Sequence, residues 1–246
     1  MVPPTRTRRP LSRDRVLATA MKLADAEGIG AVTMRRLAAE LGIEAMSLYH
    51  HLPGKDGLLD GLVEALVAEI TAAIEERGEP TGPWTDRLRS RCLVAREVML
   101  RHPWGPGLVT SRRNIPAGAF GLYEAALATM VEGGLSYSLG HRGLHALGSF
   151  VLGFVNEVFS PDTGGDDDPV EEDLAAMAAQ VPHLTAMAAA ELHAAGEPTL
   201  GWCDSQVEFE FTLDLLLDGL DRARRAPAER GRTLLIEGHA SGRTSD

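Results

Sequence analysis

Between Thr33 and Lys55 the chain gathers side chains suited to a phosphate backbone and to base edges: Thr33, Arg35, Ala45, Met46, Ser47, Tyr49, His50, His51 and Lys55. Thr33 stands where a helix is expected to begin, so its hydroxyl and an unpaired backbone N–H can both meet a phosphate oxygen. Arg35, in the first turn, can reach a phosphate or sit bidentate on a guanine edge. Ala45 and Met46 offer apolar contact to thymine methyls, and the Ser47 hydroxyl can bond either base type. Tyr49 and Lys55 suit phosphate clamping. His50 and His51 follow Tyr49 on the same short helix, and His51 suits either a phosphate contact or packing of that helix on the next one.

No other constellation points to catalysis. The sequence has no Gly-x-Ser-x-Gly elbow, phosphate-binding glycine loop, dinucleotide fingerprint or His-Glu-x-x-His. Its two cysteines, Cys92 and Cys203, lack a basic neighbourhood shared with a histidine and read as small core residues. His141 and His145, spaced i, i+4, could share a metal, but no third ligand is identifiable, so no metal and no cofactor is expected. Asp166, Asp167 and Asp168 read as a solvated loop. An enzyme is not expected.

Charge supports a nucleic-acid partner at one end. The 246 residues carry 24 Lys+Arg against 35 Asp+Glu, a net charge of −11, yet residues 1–60 are net +2. A basic end on an acidic body suggests that one end alone meets a polyanion. With 44% hydrophobic and 24% charged residues the chain can bury a sizeable core. No apolar run approaches the roughly 20 residues that cross a bilayer, and no apolar stretch follows the basic N-terminus, so a cytoplasmic protein without membrane contact is expected.

The elements that must position these residues are helices. Residues 1–11 form a flexible basic arm whose Arg6, Arg8 and Arg9 suit either a minor-groove contact or a solubilising tail. Ser12 caps a first helix that stops at Gly28, Thr33 caps a second from Met34 to Leu41 that Gly42 ends, and a third runs from about Ala45 to His51. Leu48 and Leu52 face the core. Three helices this close, the last two joined by a Gly-containing turn, make residues 12–54 a helix-turn-helix unit. From Lys55 to about Arg77, Leu58, Leu62, Leu66, Ile70 and Ile74 recur at i+4 beside Leu59, Val63 and Val67 along one long helix. Further helices are predicted over 84–101, 117–132, 137–159 and, broken at Pro182, 171–195, within a body spanning 55–226. In the last helix, 203–225, Val207, Phe209, Phe211, Leu213 and Leu215 alternate with polar residues as in a strand, but no other segment could pair with it. Wound as a helix, it is apolar nearly all round, which implies burial against its own core and against a second copy. Residues 227–246 are expected to be disordered.

The run from Thr33 to Leu59, with its Leu48-Tyr49-x-His51-x-x-x-Lys55 spacing, resembles the DNA-binding domain of the TetR family of bacterial transcriptional regulators, over roughly residues 12–65. Trp84, Arg101-His102-Pro103-Trp104 and Leu152-Gly153-Phe154 are similar to the regulatory domain of the tetracycline repressor subgroup. The resemblance implies an all-α homodimer in which a three-helix DNA-binding domain is joined by a long helix to a helical-bundle domain for ligand binding and dimerisation. Such proteins typically repress from a palindromic operator on double-stranded DNA until a small molecule releases them.

Candidate pocket residues lie between Trp84 and Phe159: Arg91, Arg96, Met99, Trp104, Phe120, Tyr123, Phe150, Phe154 and Asn156, against the alternative that these aromatics are plain core. Their character suggests a largely apolar small-molecule effector whose identity the sequence does not give. The tetracycline repressor binds its drug through magnesium held by a histidine just after the helix ending here near Arg101. The corresponding stretch, Gly105 to Thr110, has no histidine, so tetracycline is not the expected effector. A constitutive or architectural DNA-binding protein without effector is the other reading.

Overall fold

The computed structural model describes residues 11–113, 115–154, 180–187 and 205–226, and every regular element among them is helical. The elements are α1 (Arg13–Glu27), α2 (Met34–Leu41), α3 (Ala45–Tyr49), α4 (Gly54–Arg77), α5 (Trp84–Arg101), α6 (Gly105–Ser111), α7 (Ala117–Glu132), α8 (Tyr137–Gly153) and α9 (Ser205–Arg225). Residues 1–10 of the basic arm, Asp166 to Asp168, Cys203, Asn156, most of the helix expected over 171–195 and the 227–246 tail, all singled out in the sequence, lie outside the described residues, while Leu11, expected in the arm, packs on the head core.

Local chemistry sets the ends of the first helices. Ser12 and Thr33 accept hydrogen bonds from the Arg15 and Arg36 N–H groups at 3.3 and 3.1 Å, each satisfying a donor that the first turn leaves over. Gly42 is left-handed, with φ 66°, which lets the Ile43 N–H turn back onto the Ala38 carbonyl and ends α2.

Two cores result. Val16, Leu17, Ala20, Leu37, Leu48 and Leu52 meet Leu58, Leu62, Val63 and Leu66 of α4 in the core of the head. Phe209, Leu213, Leu217 and Leu220 of α9 fill the body with Trp84 and Leu88 of α5, Met130 of α7 and Leu147 and Val151 of α8. At 24 residues α4 is about 36 Å long and serves both ends, since its Ile70 packs on Val98 and Met99 of α5. α6, in a stretch where the sequence predicts no helix, crosses to the head and, with Trp104 as its N-cap, buries Trp104 and Leu108 there.

Candidate nucleic-acid interface and the regulatory body

α3 turns Leu48 wholly inward and leaves Met46 73% and Tyr49 49% exposed, far more than folding alone explains for such side chains. The five residues of α3 end in Tyr49 and His50 caps them, so His51, expected within the helix, lies just beyond it and is half-buried. Ala45 and Ser47 are also half-buried, and Ala45 packs on the head core. Arg36 is held by Glu27 at 2.7 Å, whereas Arg35, His50 and Lys55 are exposed and have no ion pair among the described residues. The Thr33 hydroxyl spends its lone pair on the α2 cap, and its O–H remains to donate. The expected residues thus lie along α2, α3 and the start of α4, with the core-facing leucines behind them.

The expected pocket residues do not converge on one cavity. Trp104 belongs to the head: its Nε1 donates to Asp25 of α1 at 2.7 Å and its ring packs in the head core. An indole buried there needs an acceptor, and Asp25 supplies it. Arg91 is bound to Glu79, Met99 lies in the small core with Ile70, and Phe120 and Tyr123 are 59% and 44% exposed. Phe150 and Phe154 do meet, but as core: Phe150 stacks on Phe209 at 4.6 Å and Phe154 meets the same ring edge-on at 5.6 Å. Two surface grooves lie elsewhere, one of about 550 Å³ along Glu64, Val67, Ala68, Thr71, Ala117 and Gly118, the other of about 360 Å³ along Glu124, Leu127, Ala128, Val131, Glu132 and Tyr137. Neither is lined by the expected residues.

Arg96 is the most deeply buried charged side chain described, only 1% exposed. Its Nε donates to the Gln206 side chain at 3.1 Å, its Nη1 to the Phe154 carbonyl at 2.8 Å, and its guanidinium lies 4.5 Å from the Phe209 ring centre. It gathers α5, α8 and α9 at one point of the body. Cys92 is buried on the same helix, and burial pushes its thiol up to about 12, which leaves it inert. His141 and His145 stack edge to face on the exposed side of α8, and no third metal-ligating group joins them among the described residues.

A joint between head and body was not foreseen in the sequence. Arg112, capping α6, reaches Asp60 of α4 at 2.7 Å and Asp56 at 3.3 Å. Gly105 lies so close to α4 and α5 that a Cβ there would meet Leu66 and Met99 at 3.2 Å. His102, buried between them, directs Nδ1 at Asp25 and Nε2 at Glu69, 2.7 and 3.0 Å away. The signal was present as Arg101-His102-Pro103-Trp104, but the partners of these residues lie 32 to 79 positions earlier.

α9 carries two apolar faces. Phe209, Leu213 and Leu217 are buried, while Val207, Phe211 and Leu215, at i, i+4 and i+8 on the opposite side, are 59, 60 and 52% exposed.

Comparison with known proteins agrees with both halves. Residues 16–62 match the family model of bacterial regulatory proteins of the tetR family, and residues 78–224 match the tetracyclin repressor-like C-terminal domain. A transcriptional regulator from Saccharopolyspora erythraea is 28% identical over 184 residues, 73% of this chain and 76% of that protein. The class D tetracycline repressor from Escherichia coli is 32% identical over 165 residues, 66% of this chain and 73% of the repressor. The crystal structure of the Streptomyces coelicolor protein ActR with actinorhodin superposes with a TM-score of 0.66 at 27% identity, covering 89% of this chain and all of that one. Members of this group are regulators and not enzymes. A helix-turn-helix head with an exposed α3 face, a body that is helical among the described residues and family-model matches over 16–62 and 78–224 make this protein a member of the TetR family of bacterial transcriptional regulators.

Proposed function

We propose that the protein is a ligand-responsive repressor that binds an inverted-repeat operator as a homodimer and is released by a small molecule. The observation that carries this reading is the exposed face of α3 with Met46 and Tyr49, flanked by Arg35 and Lys55. In this reading Thr33, Tyr49 and Lys55 hold phosphates, Arg35, Ala45, Met46 and Ser47 face bases, and His50 and His51 lie at the edge of the contact. One such head reads a single half-site, and a second head doubles the phosphate contacts. The stripe Val207, Phe211 and Leu215 supplies the apolar surface for pairing two copies through α9.

Release follows from the way α4 runs from the head core to the small core that its Ile70 shares with Val98 and Met99 of α5. A shift at its body end is carried to the head and alters the spacing of the two reading faces. A ligand can drive that shift only by its differential affinity for the two spacings, and near-complete release takes on the order of 5 kcal/mol. The complex of the similar protein ActR with actinorhodin supports a small-molecule effector, here one held in the body among α5, α7, α8 and α9. The test is a screen of small molecules against the protein–DNA complex, reading DNA release together with thermal stabilisation of the free protein. Compounds that stabilise the protein should release DNA. If every stabilising compound left DNA bound, the constitutive reading would replace this one.

A further inference from the structure

We propose that His102 is a positioning residue: as an imidazolium it clasps α1 of the head to α4, and loss of its proton loosens the angle at which the head is held. This rests on the proposed reading only in taking the head as the DNA-binding end. Both ring nitrogens face carboxylate oxygens, Nδ1 the Asp25 Oδ1 at 2.7 Å and Nε2 the Glu69 Oε2 at 3.0 Å. Carboxylates only accept, so both contacts are hydrogen bonds only when both nitrogens carry protons. A neutral ring must turn a lone pair toward one carboxylate in a site where His102 is buried.

The surroundings tie this proton to the joint. The charged groups facing the ring are Asp25 from α1 and Glu69 from α4, with Arg101 of α5 bound to Glu69 at 2.7 Å. With His102 charged, two cations balance two carboxylates; with it neutral, one carboxylate is uncompensated. Asp25 also accepts the Trp104 indole N–H, so one of the two carboxylates on the ring is the one that anchors α6 in the head. Burial pushes the Glu69 carboxyl up, but hydrogen bonds from Arg101 and His102 outweigh it and hold the group below the ordinary carboxylate value. Glu69 supports the joint above the ordinary carboxylate range and loses that support as pH falls, whereas the two His102 bonds need a proton on each ring nitrogen and are lost together only if the ring gives one up.

The test measures the head against the body in the full chain without DNA. Spin labels on Glu40→Cys of α2 and Glu124→Cys of α7, both exposed positions, report the distance in labelled protein diluted with unlabelled, carrying Cys203→Ser while Cys92 stays buried. As the pH is raised, the wild-type distribution should pass from narrow to broad. His102→Leu should be broad throughout. A wild-type distribution that does not respond to pH, or a narrow His102→Leu, overturns the clasp. Because no DNA is present, failure here leaves the DNA-binding reading standing, and failure to bind DNA leaves this result standing.

Discussion

The head and the body differ in how far apart along the chain their defining contacts lie. In the head, Ser12 caps through Arg15 and Thr33 through Arg36, three residues away, and Gly42 closes α2 on the carbonyls just before it. In the body, Arg96 meets Gln206 across 110 positions and Arg89 meets Glu210 across 121. Short-range contacts leave a trace in residue order, and long-range ones depend on how helices pack. A reading face on a short helix is therefore set locally, while a pocket is set by the whole bundle.

The largest effect that would sharpen this contrast is in the second apolar face of α9. Phe211→Asp with Leu215→Asp changes exposed positions and should leave each chain folded, yet abolish pairing, as sedimentation would register. A dimer that survived both changes would move the pairing surface elsewhere.

Next comes Trp104, which sequence reasoning gave to the ligand pocket and the structure gives to the head. Trp104→Ala removes a core ring and the indole bond to Asp25, and should cost about 3–5 kcal/mol in chemical denaturation, whereas Phe120→Ala, 59% exposed, should stay within about 0.5 kcal/mol. Equal costs would erase the distinction between the two residues.

Smaller effects separate the roles within the reading face. Arg35→Ala should cost about 1–3 kcal/mol of DNA affinity and change which half-sites are tolerated. Lys55→Ala should weaken binding to all sequences alike and lower the salt slope by about one, which a titration over salt concentration measures. If Lys55→Ala altered base preference and kept the slope, the two roles would be exchanged.

These contrasts also explain what the sequence made legible. The order of the first four helices, the caps at Ser12 and Thr33, and the inward Leu48 and Leu52 follow from local rules, and the structure agrees with each. The alternation Val207 to Leu215 imitates a strand because two apolar stripes on opposite sides of one helix interleave with period two; α9 buries one stripe and exposes the other. Trp104 was misplaced because its acceptor, Asp25, is 79 residues earlier. Its neighbour His102 carried no hint of Glu69 for the same reason. Phe150 and Phe154 were rightly grouped, since i, i+4 aromatics must share a face, but only packing reveals that Phe209 already covers them.

The most direct test of the central claim, that the face of α3 reads DNA in pairs, is selection of bound sequences from a random duplex pool by the full-length protein. The account predicts enrichment of an inverted repeat whose half-sites lie about one helical turn, roughly 34 Å, apart, with enrichment lost in Tyr49→Ala combined with Lys55→Ala. Enrichment of a single unrepeated site, or enrichment untouched by that double change in a folded protein, would contradict it.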